Sequence, residues 1–296
     1  MFKTMLSILN ESPVVFECQG EDLVGIIHEP SSKNNIGVLI VVGGPQYRVG
    51  SHRQFVLLSR YLAKHGFFSM RFDVRGMGDA SGEQRRFDVL DDDIKAAIDC
   101  FMASCPEIEK VIVWGLCDAA SAALFYAYQD ERVAGLVLLN PWVFTEQGAA
   151  KTYIKHYYLQ RIVSRDFWKK VFAFKFDILS SLASLVAIFK KAITVSVLDN
   201  TISISDNAGI DQNLPLPVRM RECFKQFGKP VLLILSGRDL TADEFKQVVA
   251  DDLEWQMLLN TSYITKHDFA NSDHTFSSAA WRDQVAEWTL QWISKL

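Results

Sequence analysis

Short apolar runs separated by segments of helical period limit the fold of this chain more than any other feature. Few polar residues interrupt these runs, which is typical of strands buried on both faces of a sheet. They lie at residues 37–42, 67–72, 111–114, 133–139 and 231–235. Segments with helical spacing follow three of them, at residues 53–65, 88–101 and 119–128. This alternation predicts an α/β fold with a mostly parallel central sheet and helices on both faces.

The alternation stops between residues 141 and 227, where the chain is helical in pattern and rich in aromatic residues. We therefore predict a core of residues 1–140 and 228–296, interrupted by a helical cap of residues 141–227. Such a cap packs its apolar face on the core. It could also wall an apolar pocket that suits an acyl chain or another bulky group of a small-molecule substrate.

Composition narrows the class of protein further. The chain has 296 residues, a formal net charge of −4 and five cysteines without a CxxC pair. Its acidic balance argues against binding to nucleic acid, which normally requires a basic face. An odd number of cysteines at scattered positions indicates free thiols in a reducing cytoplasm rather than a zinc or redox site. We recognise no signal peptide at the N-terminus.

The most apolar long window covers residues 171–193 and contains Lys175 and Asp177 near its start. Charged residues at these positions argue against a membrane-spanning helix. A weak contact with a membrane surface through this window stays open as an alternative.

Chemically active residues follow the predicted strands. In a sheet of this kind, ligands bind beyond the carboxyl ends of the strands. Cys117 follows the strand at 111–114, Asp239 follows the strand at 231–235, and His274 precedes the last helix. A thiol, a carboxylate and an imidazole are thus expected at one edge of the sheet. These are the groups of a nucleophile, the residue that orients its base, and the base itself.

The segment around Cys117 reads Gly115-x-Cys117-x-Ala119. A strand that turns at once into a helix strains the residue at the turn, and the neighbours two residues away must be small. A helix start stabilises a thiolate, and the backbone N–H of Asp118 could hold an oxyanion there. The alternative is that Cys117 is a small buried hydrophobe at a strand–helix contact.

The base and the orienting acid each have a rival. His267 lies closer to the end of its predicted strand than His274, so we favour His274 as the base. Asp243 follows Asp239 by four residues and is the second choice for the acid. The chosen carboxylate would accept the imidazole N–H and stabilise the imidazolium.

The loop after residues 37–42 should supply a second oxyanion donor. Pro45 has no N–H, so Gln46 is the candidate, through its main-chain amide or its side chain. Arg48 and His52 follow in the same loop and could bind an anionic group of the substrate. Exposure to solvent is the alternative for both.

Four further charged residues are expected to have structural roles. Asp73 and Asp79 should tie down the loop after the strand at 67–72, with Arg75 pairing with one of them. The carboxylate of Asp118 opposes thiolate formation but suits a helix start. We expect it to point away from the sulfur.

Four motifs carry a resemblance to the α/β-hydrolase superfamily: GLCDAA, DVRGMGDASG, SGRD and DHTF. The resemblance covers residues 14–140 and 228–296, and the insertion stands where that fold carries its cap. The superfamily's usual elbow is G-x-S-x-G. Here Cys117 stands in the serine's place, as in the dienelactone-hydrolase-like branch, and Ala119 replaces the second glycine.

The segments GGPQYR, LCDAA, SGRDLTADEF and DHTFS resemble, more narrowly, the exosortase A system-associated hydrolase type 1 family. Proteins of that family are encoded alongside bacterial exopolysaccharide and protein-sorting systems. The resemblance implies a cytoplasmic bacterial hydrolase.

The sequence therefore predicts a hydrolase that cleaves an ester, thioester or lactone through Cys117, His274 and Asp239. The amides of Asp118 and Gln46 would form the oxyanion hole, and no metal or organic cofactor is needed. Two alternatives remain: acyl transfer by the same three residues, or a non-catalytic hydrolase-fold module that binds a partner.

Overall fold

The computed structural model describes residues 10–32, 34–44, 46–143 and 210–296. Its strands are β1 (Asn10–Cys18), β2 (Glu21–Glu29), β3 (Ile36–Val41), β4 (Phe68–Phe72), β5 (Lys110–Leu116), β6 (Val133–Leu139), β7 (Val231–Arg238) and β8 (Ile264–Asp273). Its helices are α1 (Gln54–Lys64), α2 (Asp91–Ser104), α3 (Asp118–Ala127), α4 (Leu216–Phe227), α5 (Leu240–Asp251), α6 (Leu253–Leu259) and α7 (Ala279–Ile293).

The described strands form one sheet in the order β1-β2-β4-β3-β5-β6-β7-β8. β2 pairs antiparallel with both of its neighbours, while every pairing from β4 through β8 is parallel. The predicted mostly parallel sheet is thereby confirmed. The carboxyl ends of β3, β5, β6, β7 and β8 all meet at one edge, where ligands bind in such sheets.

Helices cover both faces of the sheet because successive strand residues point to opposite sides. Leu39 and Val41 of β3 join the apolar cluster that α2 and α3 cover. Val38 and Ile40 of the same strand join the cluster that α1 and α7 cover. A strand that must bury both faces is apolar at every position, and this explains the uninterrupted run in the sequence.

Part of the region predicted as a cap belongs to the described chain. Helix α4 packs against α3, and its Met220, Cys223 and Phe224 lie in the apolar cluster that α2 and α3 cover. Residues 144–209, including the apolar window at 171–193, lie outside the described residues, so the cap and its boundaries stay a prediction. No helix in the described ranges is long and apolar enough to cross a membrane.

A buried ion pair joins the loop after β4 to helix α2. The Arg75 guanidinium donates to Asp93 at 2.6 Å and 3.0 Å, and the Arg75 main-chain N–H donates to the same carboxylate at 2.9 Å. Both side chains are almost fully buried. The predicted pairing of Arg75 with Asp73 or Asp79 is therefore wrong, because Arg48 already occupies those two carboxylates.

Replacing Asp93 with Asn should lower the free energy of unfolding by about 3 kcal/mol, because Arg75 is left buried without its counter-charge. Urea unfolding monitored by tryptophan fluorescence measures the loss. The matched control is Lys95→Ala, which removes an exposed pair with Asp99 on the same helix and should cost less than about 1 kcal/mol. Equal losses in the two variants would contradict the assignment.

Candidate active site

Cys117 occupies a strained turn between β5 and α3. Its φ of 62° and ψ of −125° lie in a region that non-glycine residues rarely adopt. Hydrogen bonds on both sides hold it there: its N–H donates to the Leu139 carbonyl at 2.8 Å, and its carbonyl accepts from Trp142 at 3.2 Å. The backbone thus keeps a strained conformation that presents the half-buried sulfur beyond the sheet edge.

The glycine two residues before Cys117 is required because there is no space for a side chain. A Cβ added to Gly115 would lie 2.6 Å from the Ala119 carbonyl carbon and oxygen. Gly43, in the loop after β3, faces the same restriction. A Cβ there would lie 2.1 Å from a carboxylate oxygen of Asp118 and 2.6 Å from the Ala119 nitrogen. Strand, helix and loop therefore meet at backbone contact around Cys117.

His274 and Asp239 meet at the same edge of the sheet. The imidazole Nδ1 lies 2.9 Å from Oδ2 of Asp239. Asp239 is also the N-cap of α5, where its carboxylate accepts from the N–H groups of Thr241 at 3.2 Å and Ala242 at 3.1 Å. Three donors thus fix a carboxylate that is nearly buried, and this carboxylate in turn orients the imidazole.

The alternative base, His267, and the alternative acid, Asp243, lie away from this hydrogen bond. His267 stacks on Trp288 with ring centroids 4.3 Å apart. Asp243 lies one turn into α5, where its carboxylate pairs with Lys246 at 3.4 Å. Of the sequence candidates, the structure therefore brings together Cys117, His274 and Asp239.

The pKa of His274 is raised to about 10 by its hydrogen bonds with Asp239 and Cys117, against the opposing effect of burial. The imidazole is therefore an imidazolium at neutral pH. Since Nδ1 faces Asp239, Nε2 is the nitrogen left for the sulfur. The positively charged ring lies between the Asp239 carboxylate and the Cys117 sulfur.

Asp118 points its carboxylate at the loop after β3. Oδ2 accepts from the Gly44 N–H at 2.7 Å, and Oδ1 accepts from the Ala119 N–H at 3.0 Å. Burial raises the pKa of Asp118, while these backbone donors and His274 oppose the rise. The side chain therefore ties the loop to the start of α3.

The hydrogen bonds of Gln46 distinguish between its main-chain amide and its side chain as the oxyanion donor. Its main-chain N–H already donates to the Gly44 carbonyl at 2.8 Å. Its side-chain Oε1 accepts from the Ser51 N–H at 3.0 Å and from the Ser51 hydroxyl at 3.2 Å. Among the described residues, the side-chain Nε2 is left as the donor that Gln46 can offer a substrate.

Sequence reasoning missed Gly44, whose N–H is the loop donor that reaches the elbow. Gly44 has a φ of 63°, a conformation that favours glycine. The Gly43–Gly44 pair directly after a buried strand was the available signal. Gly43 is needed because the loop approaches α3 closely, and Gly44 is needed because of its backbone angles.

Arg48 and His52, the two loop residues considered for an anionic substrate group or for exposure to solvent, differ in their surroundings. Arg48 is bound by both Asp73 and Asp79, the second at 2.6 Å. Its charge is therefore balanced within the loop, and this geometry favours the expected structural role of the two carboxylates over substrate binding. His52 has a φ of 53° and interacts electrostatically with Asp273.

Comparison with known proteins agrees with this architecture. Residues 38–167 match the family model for the α/β-hydrolase fold. That segment runs from β3 through the elbow at Cys117, where the fold carries its nucleophile. The chain has the α/β-hydrolase fold, as its motifs predicted.

Several solved structures share the fold over nearly the whole chain. The esterase Pf2001 of Pyrococcus furiosus is 14% identical, with a TM-score of 0.62 over 97% of this chain and 91% of its own. Est1E of Butyrivibrio proteoclasticus, solved with ferulic acid bound, is 14% identical, with a TM-score of 0.58 over 95% and 99% of the two chains. Identities this low establish the fold and leave the substrate undetermined.

A third relative is the uncharacterized protein PA2218 of Pseudomonas aeruginosa. It is 31% identical over 103 residues, which span 33% of this chain and 27% of that protein. Its structure superposes over 96% of this chain and 94% of its own, with 16% identity and a TM-score of 0.60.

Replacing Gly115 with Ala should lower the free energy of unfolding by about 1–3 kcal/mol, because the new methyl group enters the backbone of α3. Thermal and urea unfolding measure the loss. The control is Gly20→Asn in the β1–β2 turn, where the φ of 83° suits Asn and no atom lies within 4 Å of an added Cβ. If Gly115→Ala were as stable as this control, the close contact would be disproved.

Proposed function

We propose that this protein hydrolyses a carboxylic ester, thioester or lactone through a covalent acyl-enzyme on Cys117. The observation that carries the proposal is the 2.9 Å hydrogen bond between His274 and Asp239, with the imidazole also bonded to the strained Cys117. A nucleophile bonded to a base, and a base bonded to an orienting carboxylate, form the arrangement used for acyl transfer.

The first half of the reaction acylates the enzyme. The Cys117 thiolate attacks the carbonyl carbon, a C–S bond forms, and the carbonyl π electrons move to oxygen. As the tetrahedral intermediate collapses, the bond to the leaving oxygen or sulfur breaks and the His274 imidazolium protonates that atom. Because the pKa of His274 is about 10 in the resting site, this proton is present at neutral pH.

The second half releases the acyl group to water. Acylation removes the negative charge and the hydrogen bond of Cys117, one of the two partners that raise the pKa of His274. The lower pKa keeps the ring neutral, so that it can take a proton from water as the water oxygen attacks the acyl carbon. Collapse of this second intermediate breaks the C–S bond and restores the thiolate and the imidazolium.

The oxyanion of each intermediate needs two donors. We propose the main-chain N–H of Asp118 at the start of α3 and the side-chain Nε2 of Gln46. The Gly44 N–H lies in the same region, but the Asp118 carboxylate accepts it in the resting structure. The Gly44 N–H can serve an oxyanion only after that carboxylate turns away, and the same movement frees the Asp118 N–H, which also interacts with this carboxylate.

The class of substrate follows from the nucleophile and from the structural relatives. Among the proteins with this fold, Pf2001 is an esterase and Est1E was solved with ferulic acid bound. Thiol nucleophiles also favour activated carbonyls over amides. We propose a small-molecule acyl substrate, without a metal or organic cofactor and without nucleic acid. The GGPQYR and DHTFS motifs further suggest a cytoplasmic role linked to bacterial exopolysaccharide or exosortase systems.

Replacing Cys117 with Ala should lower kcat/KM for p-nitrophenyl butyrate by about 10³-fold or more, because no covalent intermediate can form. Release of p-nitrophenolate measures the rate. Cys100→Ala, which removes another partly exposed thiol, should keep wild-type activity. Full activity in Cys117→Ala, or acylation mapped to Cys105 or Cys223 with Cys117 unmodified, would overturn the proposal.

The alkaline limb of the pH profile should depend on the leaving group. Hydrolysis of an ethyl ester should decline as the pH rises through about 10, because the His274 imidazolium that protonates ethoxide is then lost. A p-nitrophenyl ester, whose leaving group needs no proton, should show a smaller decline in acylation. Identical profiles for the two esters, corrected for hydroxide hydrolysis, would remove His274 as the general acid.

A further inference from the structure

All the polar atoms of the Asn140 side chain are used at the carboxyl edge of the sheet. Its Nδ2 donates to the Ser236 hydroxyl at 2.9 Å and to the main-chain carbonyl of His274 at 3.1 Å. Its Oδ1 accepts from the Ser236 N–H at 2.8 Å. Asn140 and Ser236 are both fully buried. A buried carboxamide is costly unless satisfied in this way.

Ser236 extends the connection by one residue. Its hydroxyl donates to the main-chain carbonyl of Asp273 at 2.8 Å, while Asn140 holds the next carbonyl along the chain, that of His274. Two successive carbonyls at the end of β8 are thus fastened to the ends of β6 and β7. Asp239 follows Ser236 by three residues, so one buried pair connects both the segment that carries the base and the segment that carries the acid.

The backbone of Asn140 is itself held in an uncommon conformation. Its φ is 45°, a left-handed value that Asn tolerates better than most residues. Its N–H donates to the Ile234 carbonyl of β7 at 3.1 Å. The carboxamide is therefore aimed at the segment around His274 by a turn that is fixed at its own backbone.

We propose that Asn140 is a positioning residue, which sets the direction of the His274 imidazole through the main-chain carbonyl of His274. This inference rests on the proposed function, since it concerns the same base. The imidazole must meet Asp239 on one side and Cys117 on the other, and such alignment tolerates about 0.5 Å. The charged groups that interact with the ring are Asp239, Cys117 and Asp118.

The test compares three variants by the rate of Cys117 alkylation with iodoacetamide between pH 5.5 and 10. Asn140→Gly keeps the left-handed backbone and removes the carboxamide. Asn140→Asp keeps the size but turns an acceptor towards the His274 carbonyl. The control Ser69→Ala removes a buried hydroxyl that donates to the Ser59 carbonyl at 3.3 Å. Intact-mass spectrometry identifies the modified cysteine, and all rates are taken below each variant's unfolding temperature.

Asn140→Gly should lower the alkylation rate at pH 6–7 by about tenfold or more, because the misplaced imidazole no longer pairs with the thiolate. The rate should recover at alkaline pH, so that the pH at which the rate rises is higher than in the wild-type protein. Asn140→Asp should show the same loss. Its added carboxylate would favour the imidazolium but oppose the thiolate, so the uncharged Asn140→Gly variant separates misplacement from a charge effect. Ser69→Ala should follow the wild-type profile.

One result would contradict the role of Asn140, and a different result would contradict the proposed function. If both Asn140 variants are less stable but keep the wild-type pH profile, Asn140 has a structural role only and the inference is wrong. If Cys117 of the wild-type protein reacts only at alkaline pH, like a free thiol with a pKa near 8.5, the proposed function fails first.

Discussion

The hydrogen bond between His274 and Asp239 is the interaction on which the rest of the site depends. It connects the loop after β8 to the first turn of α5, two segments that follow neighbouring strands of the sheet. Cys117 follows β5, two strands away from β7. The imidazole must therefore span the distance between acid and sulfur, and it can do so only with its ring fixed at Nδ1. The charge of the site follows from the same bond, since Asp239 is the largest cause of the raised pKa of His274.

A second constraint is the space around Cys117. The strained turn brings β5, α3 and the loop after β3 to backbone contact, and glycines at positions 43 and 115 make this approach sterically allowed. The Asp118 carboxylate then joins the loop to the helix through the Gly44 N–H. This contact explains why a carboxylate stands beside the Cys117 sulfur: it is directed at backbone donors of the loop and the helix start.

The sequence predicted the fold well because strands that are buried on both faces of a sheet appear as uninterrupted apolar runs. Strands such as β3 and β5 are apolar at nearly every position, and their order along the chain implies parallel pairing. The meeting of Cys117, Asp239 and His274 was also predictable, since each lies just after a strand or before the last helix. Contacts that depend on side-chain direction within loops were not predictable. Examples are the pairing of Arg75 with Asp93 and the hydrogen bond from the Gln46 main-chain N–H to the Gly44 carbonyl. A third is the hydrogen bond from the Asn140 side chain to the His274 carbonyl, which is distant in the chain.

The charge state of His274 tests the central claim most directly. In protein labelled with 15N-histidine, the imidazole resonances of His274 can be followed by NMR as the pH is raised. We expect His274 to titrate near pH 10 in the wild-type protein, and at a lower pH in both Asp239→Asn and Cys117→Ala because each removes one partner of the ring. Titration near the ordinary value of about 6.5, unchanged by either substitution, would contradict the account.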